Sequence, residues 1–167
     1  TVAIPFLKTL ASARVTVWNA HARNPQPFQE KILKSLCHRA RETQFGQNHH
    51  FSKIDNYEKF KNNVPLRTYA EFEPFLERMR KGERNVLWPG RIPYFGQSSG
   101  SSSTAAKNKF LPVSMTQIQW QKKMVFDLMA RYLVMSRDPG LTSGYSLGLL
   151  PPASLKEESP GVFVGSN

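Results

Sequence analysis

Apolar positions recur at helical spacing through the first half of the chain. Residues 6–22 bring Leu10, Ala13, Val17 and Trp18 near one helical face. Asn24 to Pro27 interrupts that run, and Pro27 suits the first turn of a second helix. From Phe28, the positions Ile32, Leu33, Leu36, Cys37 and Ala40 keep the period to Gln44, and Gly46 is expected to end the helix. Asp55 with Glu58 three residues on is a capping-box pattern, which predicts a short helix over 56–62 stopped by Val64-Pro65. Thr68 with Glu71 repeats the pattern and predicts a helix from Tyr69 to Lys81, ended by Gly82. Pro74 inside it moves the expected start toward Glu73.

Past Trp88-Pro89-Gly90 the texture changes. Short apolar runs at Ile92–Gly96 and Phe110–Val113 read as strands around a polar loop. Ser114 with Gln117 caps a long helix to Ser136, whose stripe is Ile118, Val125, Met129 and Tyr132. Asp138-Pro139-Gly140 is a turn. Tyr145–Leu150 and Val162–Val164 read as strands, separated by a polar loop with Lys156, Glu157 and Glu158. No internal repeat is visible. The expected class is α/β: a helical N-terminal region, 1–88, followed by the beginning of a mixed α/β domain, 89–167.

The loop between the two central strands carries the candidate chemistry. It reads Phe95-Gly-Gln-Ser-Ser-Gly-Ser-Ser-Ser-Thr-Ala-Ala-Lys107-Asn108-Lys109. Small hydroxyl residues around a glycine let backbone N–H and side-chain O–H groups converge on an anion, and a lysine just after them adds charge. Ser98, Ser99, Gly100, Ser101 and Ser102, with Lys109 or Lys107, are therefore the candidate phosphate-binding residues. The common P-loop is excluded, since no Gly-Lys-Ser/Thr closes the run. A Ser/Gly stretch can equally be a plain flexible connection, so the loop has to be read with what surrounds it.

Those surroundings contain an ordered series of short patterns. They are Tyr57-x-x-Phe60-x-x-x-Val64-Pro65, Tyr69-x-x-Phe72-x-Pro74-Phe75-x-Glu77-Arg78, Lys81-Gly82-Glu83, Leu87-Trp88-Pro89 and Ser98-Ser99-Gly100. In this order and spacing the chain resembles the N-terminal region of the auxin-responsive acyl-acid–amido synthetase family, within the adenylate-forming superfamily that includes firefly luciferase. The resemblance is strongest over residues 28–115. It implies that the α/β part is a nucleotide-binding domain and that the Ser-Ser-Gly loop contacts ATP phosphates. It also implies ATP and Mg2+ as cofactors, with a small-molecule carboxylic acid and an amino acid or amine as partners. The family's further nucleotide motifs and mobile C-terminal domain are expected beyond Asn167, so the chain reads as the N-terminal segment of a longer enzyme, inactive by itself.

Two departures from the family pattern bear on the loop. Ser101 and Ser102 stand at threonine places, keeping the hydroxyl but losing the methyl that stiffens χ1. The link from Ser103 to Asn108 is longer than the family's, so both Lys107 and Lys109 fit the motif lysine. No general base is assigned, and the catalytic residues are unknown from the sequence. The resemblance implies that the helix over Ile118–Tyr132 contributes to an acyl pocket, without saying which face does so.

Composition adds limits. Lys and Arg total 23 against 12 Asp and Glu, a formal net charge of +11. This invites a basic helical module that binds nucleic acid or an anionic membrane. The charges are interspersed with acids, as in Glu77-Arg78-Met79-Arg80-Lys81, which reads better as solvated helix faces with attraction for anionic substrates. Neither nucleic acid nor membrane is therefore expected as a partner, and cytoplasm is the default location. Cys37 is the single cysteine, on an apolar stripe, so it reads as a buried structural thiol. His49-His50 has no acidic or cysteine partner at ligand spacing, and no metal site is expected. Trp88 before Pro89-Gly90 reads as a plug at a helix-to-strand corner.

Overall fold

The helices begin and end where short polar side chains serve the backbone. The computed structural model describes residues 3–98, 108–136 and 154–166. Helix α1 (Ala3–Arg23) is followed by α2 (Pro25–Ala40), with Pro25 at the first helical position, where a missing N–H costs nothing. α2 stops at Ala40, earlier than the apolar period suggests, because Thr43 begins a new helix. The buried Thr43 hydroxyl donates to the Ala40 carbonyl at 2.7 Å and accepts the Gly46 N–H at 3.0 Å. Gly46 thus lies inside α3 (Gln44–Asn48) instead of ending α2. A Cβ there would stand 2.0 Å from the Ala40 carbonyl oxygen, so the position needs glycine for close approach.

A 3-10 turn (Phe51–Lys53) leads to α4 (Tyr57–Asn63). The cap of α4 is Asn56, not Asp55: its side chain accepts the Lys59 N–H at 2.9 Å. Asn56 holds the extended conformation next to the first helical residue, where a cap belongs. Asp55 instead pairs with the Lys59 ammonium at 2.6 Å. Helix α5 (Tyr69–Arg80) starts at Tyr69 despite Pro74. The Glu71 carboxylate accepts the Thr68 N–H at 2.6 Å and its hydroxyl at 2.9 Å, which secures the first turn. Proline then removes only the bond to the carbonyl of the exposed Ala70. At the other end Gly82, with φ of +89°, closes a Schellman motif. Its N–H donates to Met79, and the Glu83 N–H donates to Arg78.

Among the described residues, four strands form one sheet in the order β2-β1-β4-β3. They are β1 (Tyr94–Ser98), β2 (Lys109–Val113), β3 (Ser154–Ser159) and β4 (Val162–Ser166), with α6 (Met115–Ser136) after β2. β1 runs antiparallel to β2 and parallel to β4. The segment with Lys156, Glu157 and Glu158 is not a loop, as its polarity suggests, but edge strand β3. It pairs antiparallel with β4 through a turn at Pro160-Gly161. Among the described residues β3 pairs with β4 alone, and a strand with one partner tolerates such charge. The strand expected at Tyr145–Leu150 lies outside the described residues.

Secondary structure therefore changes from helical to mixed past Trp88, while packing divides the chain another way. One unit comprises residues 29–115 and 150–167; the other comprises 1–28 and 116–149. In the first, Leu76, Met79, Val86, Ile92, Phe95 and Val162 form one buried cluster under the sheet, and Cys37, Ala40, Phe45, Phe51 and Ile54 form a second. Phe72, Leu87 and Trp88 pack against both, and the Arg39 guanidinium lies 5.5 Å from the Trp88 ring centroid. Trp88 thus fills the corner its neighbours suggest. Cys37 is buried, and burial pushes its thiol up.

In the other unit the buried apolar positions are Ala11 on α1 and Ala130 on α6. The stripes expected from periodicity are largely exposed: Leu10, Val17 and Trp18 on α1, and Val125, Met129 and Tyr132 on α6. Helical period locates a face, but which face is covered depends on neighbours that are distant in sequence. Arg14 makes a two-pronged ion pair to Asp127, which joins α1 to α6 and holds that carboxyl below the usual range. No helix among the described residues is long and apolar enough to cross a membrane.

Candidate functional site

The two ends of the Ser/Gly loop are brought face to face by the β1–β2 ladder. The register pairs Ser98 with Lys109, the last residue of β1 with the first of β2. Directly opposed residues project to the same face of a sheet. A hydroxyl and an ammonium group therefore flank the mouth of the loop together. Ser98 is half-buried and Lys109 exposed. Ser99, Gly100, Ser101, Ser102 and Lys107 lie outside the described residues.

β1 is a firm platform for this mouth. It is an inner strand, paired on both sides, and Phe95 at its start is 1% exposed. Among the described residues β2 pairs with β1 alone and has other support. That support comes from the two ends of α5. At the N-terminal end, the Tyr69 hydroxyl accepts the Phe110 N–H at 2.8 Å, and the Tyr69 ring centroid lies 5.6 Å from the Lys109 ammonium. At the C-terminal end, the Arg80 guanidinium lies 3.7 Å from the Phe110 ring centroid. Arg80 is itself held by Glu158 of β3, and its carbonyl accepts the Ser159 hydroxyl at 2.6 Å. One helix thus spans the sheet from edge strand to edge strand.

The arrangement concentrates positive charge beside β2. Arg80 is committed to Glu158, whereas Lys109 makes no salt bridge to an acid among the described residues. A cation lying against an aromatic face keeps its attraction for a second, anionic partner. Chemically, the mouth offers one hydroxyl and one ammonium group, donors suited to anionic oxygens.

Tyr69 and Arg80 were not candidates on sequence grounds. Tyr69 stands inside the pattern Tyr69-x-x-Phe72, but nothing local marks its hydroxyl for a strand 41 residues away. Arg80 reads locally as one more charge on a solvated face. His49, in turn, uses its ring for structure: Nδ1 bonds the Asn63 carbonyl at 2.8 Å, and Nε2 lies 3.3 Å from Arg67 Nη2.

The loop before β1 is likewise built from backbone pairings. The Asn85 and Val86 carbonyls accept the Gln44 and Phe45 N–H groups at 2.8 and 3.0 Å, satisfying the first donors of α3. Asn85 is left-handed, and its side chain accepts the Gly90 N–H at 2.7 Å. This ties the Leu87-Trp88-Pro89 segment down immediately before β1.

Three comparisons bear on what such a site belongs to. The model described as the GH3 family N-terminal domain matches residues 15–167. The indole-3-acetic acid-amido synthetase GH3.2 of Arabidopsis thaliana is 27% identical over 141 residues, covering 84% of this chain and 25% of that protein. The 4-substituted benzoates-glutamate ligase GH3.12 of the same plant is 32% identical over 94 residues, 53% of this chain and 16% of its own. The solved structure of AtGH3.15 acyl acid amido synthetase in complex with 2,4-DB superposes with a TM-score of 0.78 at 19% identity, over 94% of this chain and 27% of that one. The fold is therefore that of the N-terminal region of such a synthetase. The chain spans about a quarter or less of the length of the curated relatives cited.

Proposed function

The chain belongs to the GH3 family, and from that premise we propose that it is the N-terminal segment of an ATP-dependent acyl-acid amido synthetase. The proposed reaction joins a small carboxylic acid to an amino acid or amine in two steps. The carboxylate displaces pyrophosphate at the α-phosphorus of ATP, and the amine then displaces AMP from the acyl carbon. The observation that carries the role of this segment is the Ser98–Lys109 register. It sets a hydroxyl and a cation at the two ends of a hydroxyl-rich loop, which suits a polyphosphate.

In this reading the segment binds and orients, and no general base is assigned to it. Ser98 and Lys109 hold phosphate oxygens, with Ser99, Gly100, Ser101 and Ser102 contributing hydroxyl and backbone donors between them. Lys109 offsets charge that builds up while the leaving group departs. Tyr69 keeps β2, and with it Lys109, against α5. Mg2+ would neutralise further phosphate charge. The family resemblance implies that its protein ligands, with further nucleotide contacts, lie elsewhere in a full-length synthetase. On the same grounds the 167-residue chain alone is proposed not to adenylate an acid.

The test is pyrophosphate exchange into ATP across a panel of carboxylic acids. A full-length protein carrying this segment should exchange, and the 167-residue chain should stay at background. Lys109→Ala should slow exchange by about 10²-fold or more, the usual loss for one charge-stabilising donor. Loss on Lys107→Ala but not on Lys109→Ala would transfer the role to Lys107. Robust exchange by the 167-residue chain would overturn the proposed division of labour.

A further inference from the structure

A second basic site lies away from the Ser/Gly loop, between α2 and the Phe51–Lys53 turn. It is a cleft of about 450 Å³, within the size range of small-molecule sites. Lys31, Lys34 and His38 fall on one face of α2 at helical spacing, with Ser35 beside them. Lys53 and Ser52 close the opposite side, and the buried Phe51 and Ile54 belong to the floor.

The charge balance of this cleft is uneven. Asp55 is its one acidic lining residue; it pairs with Lys59 at 2.6 Å and is also attracted by Lys34. Among the described residues no salt bridge joins Lys31, Lys34 or Lys53 to an acid. Lys31 and Lys34 are like charges one turn apart on α2 and repel, although Glu30 stands four residues before Lys34. Three ammonium groups and two hydroxyls around one concavity match a ligand with several anionic oxygens. A single carboxylate would leave most of these donors unused.

We infer that this cleft binds a small, multiply charged phosphate compound, held by Lys31, Lys34 and Lys53 with Ser35 and Ser52 as hydroxyl donors. The site is independent of the Ser98–Lys109 mouth and of the amido synthetase reading. Lysine acts here as a mobile point charge, which suits phosphate groups of varied orientation.

Pyrophosphate is the probe, titrated into the isotope-labelled 167-residue chain and followed residue by residue by NMR. Saturable shifts at Ser35, Ser52 and Lys53 are expected. Lys53→Gln should weaken that binding about tenfold, equivalent to about 1.4 kcal/mol. The triple variant Lys31→Gln, Lys34→Gln, Lys53→Gln should abolish it. All three side chains are exposed, so an unchanged thermal midpoint should certify the fold of each variant. Shifts confined to Ser98 and Lys109, or unaltered binding in the triple variant, would overturn the site while leaving the loop reading intact. Tighter binding of a DNA duplex through the same lysines, falling steeply with salt, would overturn it in favour of a nucleic-acid surface.

Discussion

The backbone N–H of Phe110 donates to the phenolic oxygen of Tyr69 at 2.8 Å, which ties the edge strand β2 to the first residue of α5. Phe110 follows Lys109 directly, so the bond fixes the backbone from which the candidate motif lysine extends. The same tyrosine ring lies against the Lys109 ammonium. Position and charge at the loop mouth therefore depend on one side chain from a distant helix.

Removing only the hydroxyl isolates this bond. Tyr69→Phe keeps the ring and its packing but leaves the Phe110 N–H without its acceptor. A loss of about 1 kcal/mol in unfolding free energy is expected, the net worth of one such bond. Amide exchange at Phe110 should quicken more than exchange at Phe95 on the inner strand. Equal exchange at Phe110 in both proteins would show that β2 does not need the tyrosine.

Gly46 should be among the least replaceable glycines. Gly46→Ala would drive a methyl group into the Ala40 carbonyl, a clash with backbone that cannot swing aside, and should cost about 3 kcal/mol or more. Gly82→Ala makes only an ordinary contact, 3.8 Å to the Ser159 hydroxyl, but must hold φ at +89°, and should cost about 1–2 kcal/mol. Urea unfolding of the two variants measures the order. The reverse order would mean that the Thr43 turn yields more easily than its hydrogen bonds indicate.

Acid should destabilise the chain through a small set of carboxylates. Lys59 lowers Asp55, the Thr68 backbone N–H lowers Glu71, Arg78 lowers Glu83 and Arg14 lowers Asp127. A carboxyl group lowered in the folded state contributes stability above its unfolded pKa, about 3.9 for Asp and 4.3 for Glu. That contribution disappears as pH falls through the folded value. The thermal midpoint should therefore hold steady from neutral pH to about 5 and then decline. Glu71→Gln should lower the midpoint at neutral pH and lessen the acid decline. An undiminished decline in that variant would remove Glu71 from the set.

Much of the fold is legible along the chain because it is local. The Thr68–Glu71 cap, the Gly82 stop and the strands on either side of the Ser/Gly loop are each made by residues a few positions apart, so short patterns identify them. The ordered series from Tyr57 to Gly100 likewise identifies the family, since five spacings in order rarely arise by chance. Tertiary structure decided what depends on distant partners. Thr43 turned the end of a helical period into a separate helix, because Asn85 and Val86 offered carbonyls for its first N–H groups. Pairing with β4 made a strand of the polar segment around Lys156. The covered face of α6 became that of Ala130 rather than the larger apolar stripe, since burial follows neighbours and not period. At the candidate site, Ser98 and Lys109 could be named from composition and resemblance. Their pairing across the ladder, and the Tyr69 hydroxyl that anchors β2, required the chain to be folded: a hydrogen bond between residues 41 positions apart leaves no periodic trace in sequence.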